Sequence, residues 1–232
     1  MGIQYATDKV AHGFCPFYDR HLRAGRERAK KILEIGVLGG SSLYMWRDYF
    51  PNAVIHGVDV TGADLENLDR ITTHVADQQD RMQLQALVDE VGTDFDLIVD
   101  DGGHTMGQQQ VSLAFLFPHV RAGGFYVVED LHTSFTPHIE IYRNGVVADR
   151  YDTGVGKCAQ TTFDIVDRLS RGEEIESDFM SADECRYLHA SVDGVDIFDR
   201  DGDRRHMTCI IRKKSFSLMQ KIGIKILQKL LG

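Results

Sequence analysis

The chain has 232 residues, of which 43% are apolar and 26% charged, and it carries a formal net charge of −9. That length suits one α/β domain with an ample core, and the acidic balance argues against nonspecific nucleic-acid binding. The four cysteines (Cys15, Cys158, Cys185 and Cys209) form no CxxC pair, so reduced thiols are expected rather than a disulfide framework. The N-terminus shows no apolar signal-peptide core, and no stretch reaches the roughly 18 apolar residues of a membrane span. The expected location is therefore the cytoplasm.

Along the chain, short apolar runs alternate with helical patterns. Residues 32–37 read as a buried strand and residues 41–49 as a helix opened by Ser41 and Ser42, which are expected to cap it. Residues 54–59 form a second strand ending in Asp59. Residues 80–91 read as a helix, residues 96–99 as a strand running into Asp100-Asp101, residues 108–117 as a helix stopped by Pro118, and residues 124–128 as a strand running into Glu129-Asp130. Residues 186–198 and 207–212 read as two strands around the turn Asp201-Gly202-Asp203, a closing antiparallel hairpin. Alternating strands and helices predict a parallel sheet with crossovers, whose ligands sit beyond the carboxyl ends of the strands.

The first such end reads Leu33-Glu34-Ile35-Gly36-Val37-Leu38-Gly39-Gly40-Ser41-Ser42. Glycines between a strand and a helix let a ligand approach the backbone, and the helix N-terminus offers free N–H groups. NAD sites share this turn, but Glu34 stands where a dinucleotide fold would want another glycine, and it suits a ligand bearing an ammonium group. Asp59 is placed to accept hydrogen bonds from ribose hydroxyls. After a third strand, Asp77-Gln78 can meet the rim of an adenine, although Asp77 serves equally well as a helix cap.

Asp100-Asp101-Gly102-Gly103-His104 and Glu129-Asp130 end neighbouring strands and crowd carboxylates into one cleft. Like charges at that range need a neutralising cation. Oxygen ligands favour Mg²⁺ or Mn²⁺. His104 suits a general base near pH 7, and a metal beside a hydroxyl eases loss of its proton.

Together with Thr7-Asp8-Lys9, Ser42-Leu43-Tyr44-Met45-Trp46, Gly57-Val58-Asp59 and Glu129-Asp130-Leu131-His132-Thr133-Ser134, these motifs resemble the catalytic domain of the metal-dependent sugar O-methyltransferases of macrolide biosynthesis. The resemblance spans residues 7–134. It implies a Rossmann-like class I S-adenosylmethionine (SAM) methyltransferase fold: a mostly parallel sheet with helices on both faces and a C-terminal antiparallel hairpin. It implies SAM and Mg²⁺ (or Mn²⁺) as cofactors, with Asp101, Glu129 and Asp130 on the metal and His104 as base. The SAM contacts would be Thr7, Glu34, Gly36, Ser42, Asp59, Asp77, Gln78 and Asp100, with Thr7 to Lys9 in a flap over the cofactor. Gly103 replaces a serine frequent in the family, which loosens the turn and removes no catalytic group.

The resulting division is a SAM-dependent domain over residues 1–212, with an N-terminal flap at 1–30 and a lid or acceptor segment at 133–160. Residues 135–160 do not resemble a macrolide pocket, so the acceptor is expected to be a sugar on a glycan, a lipid-linked glycan or another natural product. A catechol-type O-methyltransferase, a hydroxylase-like relative of the fold, and a SAM-binding protein without turnover are the alternatives. Residues 213–232 read as a basic amphipathic helix, with Lys214, Lys221, Lys225 and Lys229 beside Met219, Ile222, Ile226 and Leu230. Such a helix lies on the inner face of an anionic membrane, or it packs on its own domain or on a second copy in a homo-oligomer.

Overall fold

The computed structural model describes residues 2–65, 68–143 and 146–215. Two short N-terminal helices, α1 (Asp8–Ala11) and α2 (Phe14–Leu22), precede an alternating series. It runs β1 (Lys31–Ile35), α3 (Ser41–Tyr49), β2 (Val54–Asp59), β3 (Ile71–Val75), α4 (Arg81–Val91), β4 (Phe95–Asp100), α5 (Met106–Leu116) and β5 (Val120–Val128). A separate hairpin follows, β6 (His138–Arg143) with β7 (Val146–Asp152), and then α6 (Thr162–Ser170), α7 (Ala182–Ser191), β8 (Val192–Asp199) and β9 (Met207–Lys213). The main sheet has the order β3-β2-β1-β4-β5-β9-β8. β1 to β5 are parallel, and β9 joins β5 and β8 antiparallel. The expected mostly parallel sheet with a closing antiparallel pair is therefore present.

Side chains along each strand alternate between two cores, as the pleat requires. Leu33, Tyr126, Val128 and Ile211 pack with α4 to α7 on one face. Ile32, Val127 and Ile210 pack with α2 and α3 on the other. Helices thus cover both faces, and the strands read as continuous apolar runs.

Four local expectations are corrected. Helix α3 is capped by Gly40 in the left-handed region (φ 75°), not by a serine side chain; the hydroxyl of Ser42 goes to Glu34 instead. Asp80, not Asp77, caps α4, accepting from Met82 N and Gln83 N. Residues 186–191 continue a helix rather than a strand, because Ser181 and Glu184 form a capping box that starts α7 and buries Cys185 and Leu188. Lys213 ends β9: its buried ammonium donates to the carbonyls of Phe117, Pro118 and Val120, so it is not the first residue of a tail helix. The rest of that tail, residues 216–232, lies outside the described residues.

One pH effect follows from the fold. His56 Nδ1 lies 3.2 Å from His74 Nε2 between β2 and β3. Burial, and then the His74 ring and Lys31, lower the His56 pKa from 6.5 to about 4. Between those values the unfolded chain binds the proton more readily. Its contribution is therefore intact above about pH 6.5 and is lost as the pH falls toward 4. The stability lost between pH 7 and 5 is expected to shrink by about 1 kcal/mol in His56→Gln, allowing for partial exposure. Chemical denaturation at both pH values checks this.

Candidate active site

Register places the chemistry. Ile35 pairs with Val58 on one side and Asp100 on the other, and Asp100 pairs with Val128. The segments beginning at Gly36, Asp59, Asp101 and Glu129 therefore leave the sheet along one carboxyl edge, where the strand order reverses between β1 and β4. A cleft of about 610 Å³ opens there, with the glycine turn and Asp59 on one side and Asp101, His104 and Asp130 on the other.

On the first side, Gly36 has φ 89°, and a Cβ there would lie 2.0 Å from the Asp101 carbonyl oxygen. Only glycine lets β1 pass so close to the neighbouring turn. Asp59 fastens the loop from across β2: its Oδ2 accepts from Val37 N at 2.9 Å and Leu38 N at 3.4 Å, and its Oδ1 accepts from the backbone and hydroxyl of Thr61. Burial works against its charge, but these donors outweigh it and hold the carboxyl below its ordinary range. Leu38, at φ 46°, is fully exposed at the mouth. Asp77 and Ala76 line the far end of the cleft.

Gln78 has a structural duty. Its Nε2 donates to Asp100 Oδ1 at 3.0 Å, and its Oε1 accepts from Gly103 N at 2.7 Å. It thereby braces the Gly102-Gly103 turn that carries His104. Gln78→Leu is expected to cost about 1–3 kcal/mol, because it takes one donor from the buried Asp100 carboxyl, which keeps Ser112 and Tyr126, and the acceptor from Gly103 N. Thermal denaturation measures this, and a loss under about 1 kcal/mol would remove the brace.

The second side is acidic. Lys9, on α1, is fully buried and lies among three carboxylates: Glu34 Oε1 at 3.2 Å, Glu129 Oε1 at 3.0 Å, and Asp101 in a direct hydrogen bond. Burial favours its neutral form, yet Asp101, Glu129 and Glu34 together hold its pKa well above the usual lysine range. Burial also raises the pKa of Asp101 and Glu129, against the pull of Lys9. His104 (φ 59°) and Asp130 (φ 52°) both take the left-handed conformation, and His104 Nε2 lies 3.3 Å from Asp130 Oδ2. The Thr133 hydroxyl ties the two turns together by donating to the carbonyls of His104 and Asp130.

The cleft thus gathers Thr7, Gly36, Ser42, Asp59, Asp77, Gln78, Asp101, His104 and Asp130. Glu34 and Asp100 lie behind its wall. Glu34 is fully buried against Ser42, Trp46 and Lys9. Asp100 is held by the Ser112 hydroxyl, Gln78 and Tyr126, and burial pushes its pKa up to about 6. Glu129 faces Lys9 rather than His104 and Asp130. Sequence reasoning did not find Ser112, or Gln108, which pairs with Thr105 in a capping box at the start of α5. The Thr-x-x-Gln spacing was the available signal.

The donor set fits a hard divalent cation. Asp101, His104 and Asp130 offer ligand atoms within 4.8 Å of one another. His104 Nδ1 and Glu129 Oε1 are buried without a hydrogen-bond partner. Three carboxylates (Glu34, Asp101 and Glu129) share a single lysine while Asp130 faces His104, and oxygen-rich ligands suit Mg²⁺ or Mn²⁺.

No family model matches the chain. Over 146 residues it is 40% identical to L-olivosyl-oleandolide 3-O-methyltransferase of Streptomyces antibioticus, covering 59% of this chain and 38% of that protein. Over 146 residues it is 41% identical to mycinamicin VI 2''-O-methyltransferase of Micromonospora griseorubida, covering 59% of this chain and 36% of that one. The chain thus spans little more than a third of the length of these relatives. Among solved structures, it superimposes on the mycinamycin-pathway methyltransferase MycE, in complex with Mg and SAH, with a TM-score of 0.69 and 30% identity. That match covers 91% of this chain and 53% of the other. The fold is that of the class I SAM methyltransferases, and the resemblance drawn from the sequence motifs is borne out.

Proposed function

We propose that the chain transfers a methyl group from SAM to a sugar hydroxyl with the help of a divalent cation, Mg²⁺ or Mn²⁺. The observation that carries this reading is the convergence of Asp101, His104 and Asp130 opposite a glycine turn fastened by Asp59, within one cleft. The relatives are named as sugar-directed O-methyltransferases, which supports the acceptor class.

In this reading the turn at Gly36 lets the cofactor approach the backbone, and Asp59 accepts from its ribose hydroxyls with lone pairs that its loop bonds leave free. When bound, the cation stabilises the alkoxide form of an adjacent hydroxyl. Asp101 and Asp130 would hold it, with Glu129 joining once freed from Lys9. Asp130 Oδ2 lies 3.3 Å from His104 Nε2 and would favour the proton on that nitrogen, which leaves Nδ1 as the nitrogen to take the acceptor proton. Glu34 and Asp100 act from behind, through Ser42 and Gln78. Residues 1–30 and 133–160 would cover the cleft; Met106 N, at the start of α5, donates to the Thr153 carbonyl just beyond β7 and so anchors the hairpin beside His104.

Methyl transfer from labelled SAM to glycan acceptors should occur with Mg²⁺ and stop with EDTA. Transfer that EDTA leaves unchanged contradicts the metal assistance. Among the described residues no helix is long and apolar enough to cross a membrane. The tail beyond β9, residues 214–232, is proposed as a peripheral contact with the inner membrane face or with a second copy. Flotation of full-length and 1–215 proteins with anionic liposomes tests it, and equal flotation argues against membrane contact.

A further inference from the structure

We propose that Lys9 is an internal cation that competes with the divalent metal for Asp101 and Glu129, so that metal loading releases α1 from the floor of the cleft. This rests on the metal reading given above.

An ammonium removed from water costs several kcal/mol unless carboxylates repay it. Lys9 is fully buried and is repaid by Glu34, Asp101 and Glu129. Among the described residues, no other lysine or arginine forms an ion pair with these three acids. Lys9 therefore supplies the positive charge that keeps the acidic cluster together before a metal arrives. Asp101 is also a member of the group that can hold a metal, with His104 and Asp130. One carboxylate is thus shared between two cations. A divalent ion on the shared carboxylate repels the neighbouring ammonium with twice the energy of a unit charge at the same separation. Glu129 Oε1 is held by its 3.0 Å ion pair with Lys9 and makes no aligned hydrogen bond besides it.

The mechanical consequence follows from the size of α1. It has four residues, no side-chain cap at Thr7, and a left-handed residue, Ala6 (φ 55°), just before it. Helices this short do not hold themselves, so tertiary anchors fix α1. Lys9 is the buried one, and a hydrogen bond from Arg200 to the Ala11 carbonyl is an exposed one. Ala6, Thr7 and Asp8 line the cleft, so freeing Lys9 moves one of its walls.

The test titrates Mn²⁺ into the wild-type protein without SAM. Free Mn²⁺ is followed by electron paramagnetic resonance, and backbone exchange in peptides covering residues 6–12 by mass spectrometry. Binding that accelerates exchange there is the expected result. Binding that slows exchange, or leaves it unchanged, overturns the proposal while sparing the metal reading. Absence of Mn²⁺ binding overturns both. Lys9→Met removes the charge at similar volume and is expected to bind Mn²⁺ about tenfold more tightly, or better. Equal or weaker binding by a folded Lys9→Met protein also overturns the proposal, and where that variant does not fold, the wild-type exchange decides.

Discussion

Replacing His104 by Asn is expected to reduce methyl transfer by roughly two to four orders of magnitude, the range a general base supplies. SAM affinity should stay near wild type. Asn suits the position because His104 sits at φ 59°, a region Asn tolerates better than most residues. The backbone bond from Thr133 to the His104 carbonyl does not depend on the side chain, so the turn should persist. The variant loses the contact with Asp130 and the unpartnered Nδ1. Steady-state kinetics with labelled SAM, alongside calorimetric SAM binding, separates the two effects. Unchanged turnover would remove the base from the mechanism, and loss of SAM binding would recast His104 as a cofactor residue.

Among the described glycines, Gly36→Ala is expected to be the most destabilising substitution by alanine, costing more than about 4 kcal/mol. Two penalties coincide there. The backbone is at φ 89°, where an L side chain is strained, and the new Cβ would lie 2.0 Å from the Asp101 carbonyl oxygen. That neighbour is backbone and cannot rotate away. Relief would have to come from separating the ends of β1 and β4, which Asp101 N joins by donating to the Ile35 carbonyl, while Gly36 N ties β1 to β2 through the Val58 carbonyl. Cofactor binding should fall with stability, since Val37 N and Leu38 N hold Asp59 from the same loop. Urea denaturation with SAM titration checks both, and near-native behaviour would mean the turn is more pliable than its geometry implies.

The sheet was legible because its strands are buried on both faces and stand out as apolar runs bounded by acids or glycines. Helix α7 was misread because residues 186–198 carry no clear break between helix and strand. The signal lay upstream, in Ser181 and Glu184. Asp100 and Asp101 were both expected to face the cleft, one on SAM and one on the metal, but neighbouring strand residues point to opposite faces. Asp100 turns back to Ser112 and Tyr126, and Asp101 turns to the cleft. Lys9 was visible as part of Thr7-Asp8-Lys9, but its junction with Glu34, Asp101 and Glu129 was not. Those partners are distant in sequence, and only the docking of α1 against the sheet edge brings them together. Asp130 and His104 were adjacent in the reading by strand order alone; their paired left-handed turns, joined by Thr133, explain how they meet.

The account rests most on a divalent cation sitting beside the SAM cleft. Mn²⁺ binding, measured by electron paramagnetic resonance with SAM present, tests it in wild type and in Asp130→Asn, a change that keeps side-chain shape and suits the left-handed backbone at φ 52°. The account predicts a single site in the wild type and affinity lower by about a hundredfold or more in the variant. Equal Mn²⁺ affinity in the two proteins, or none in the wild type, would contradict it.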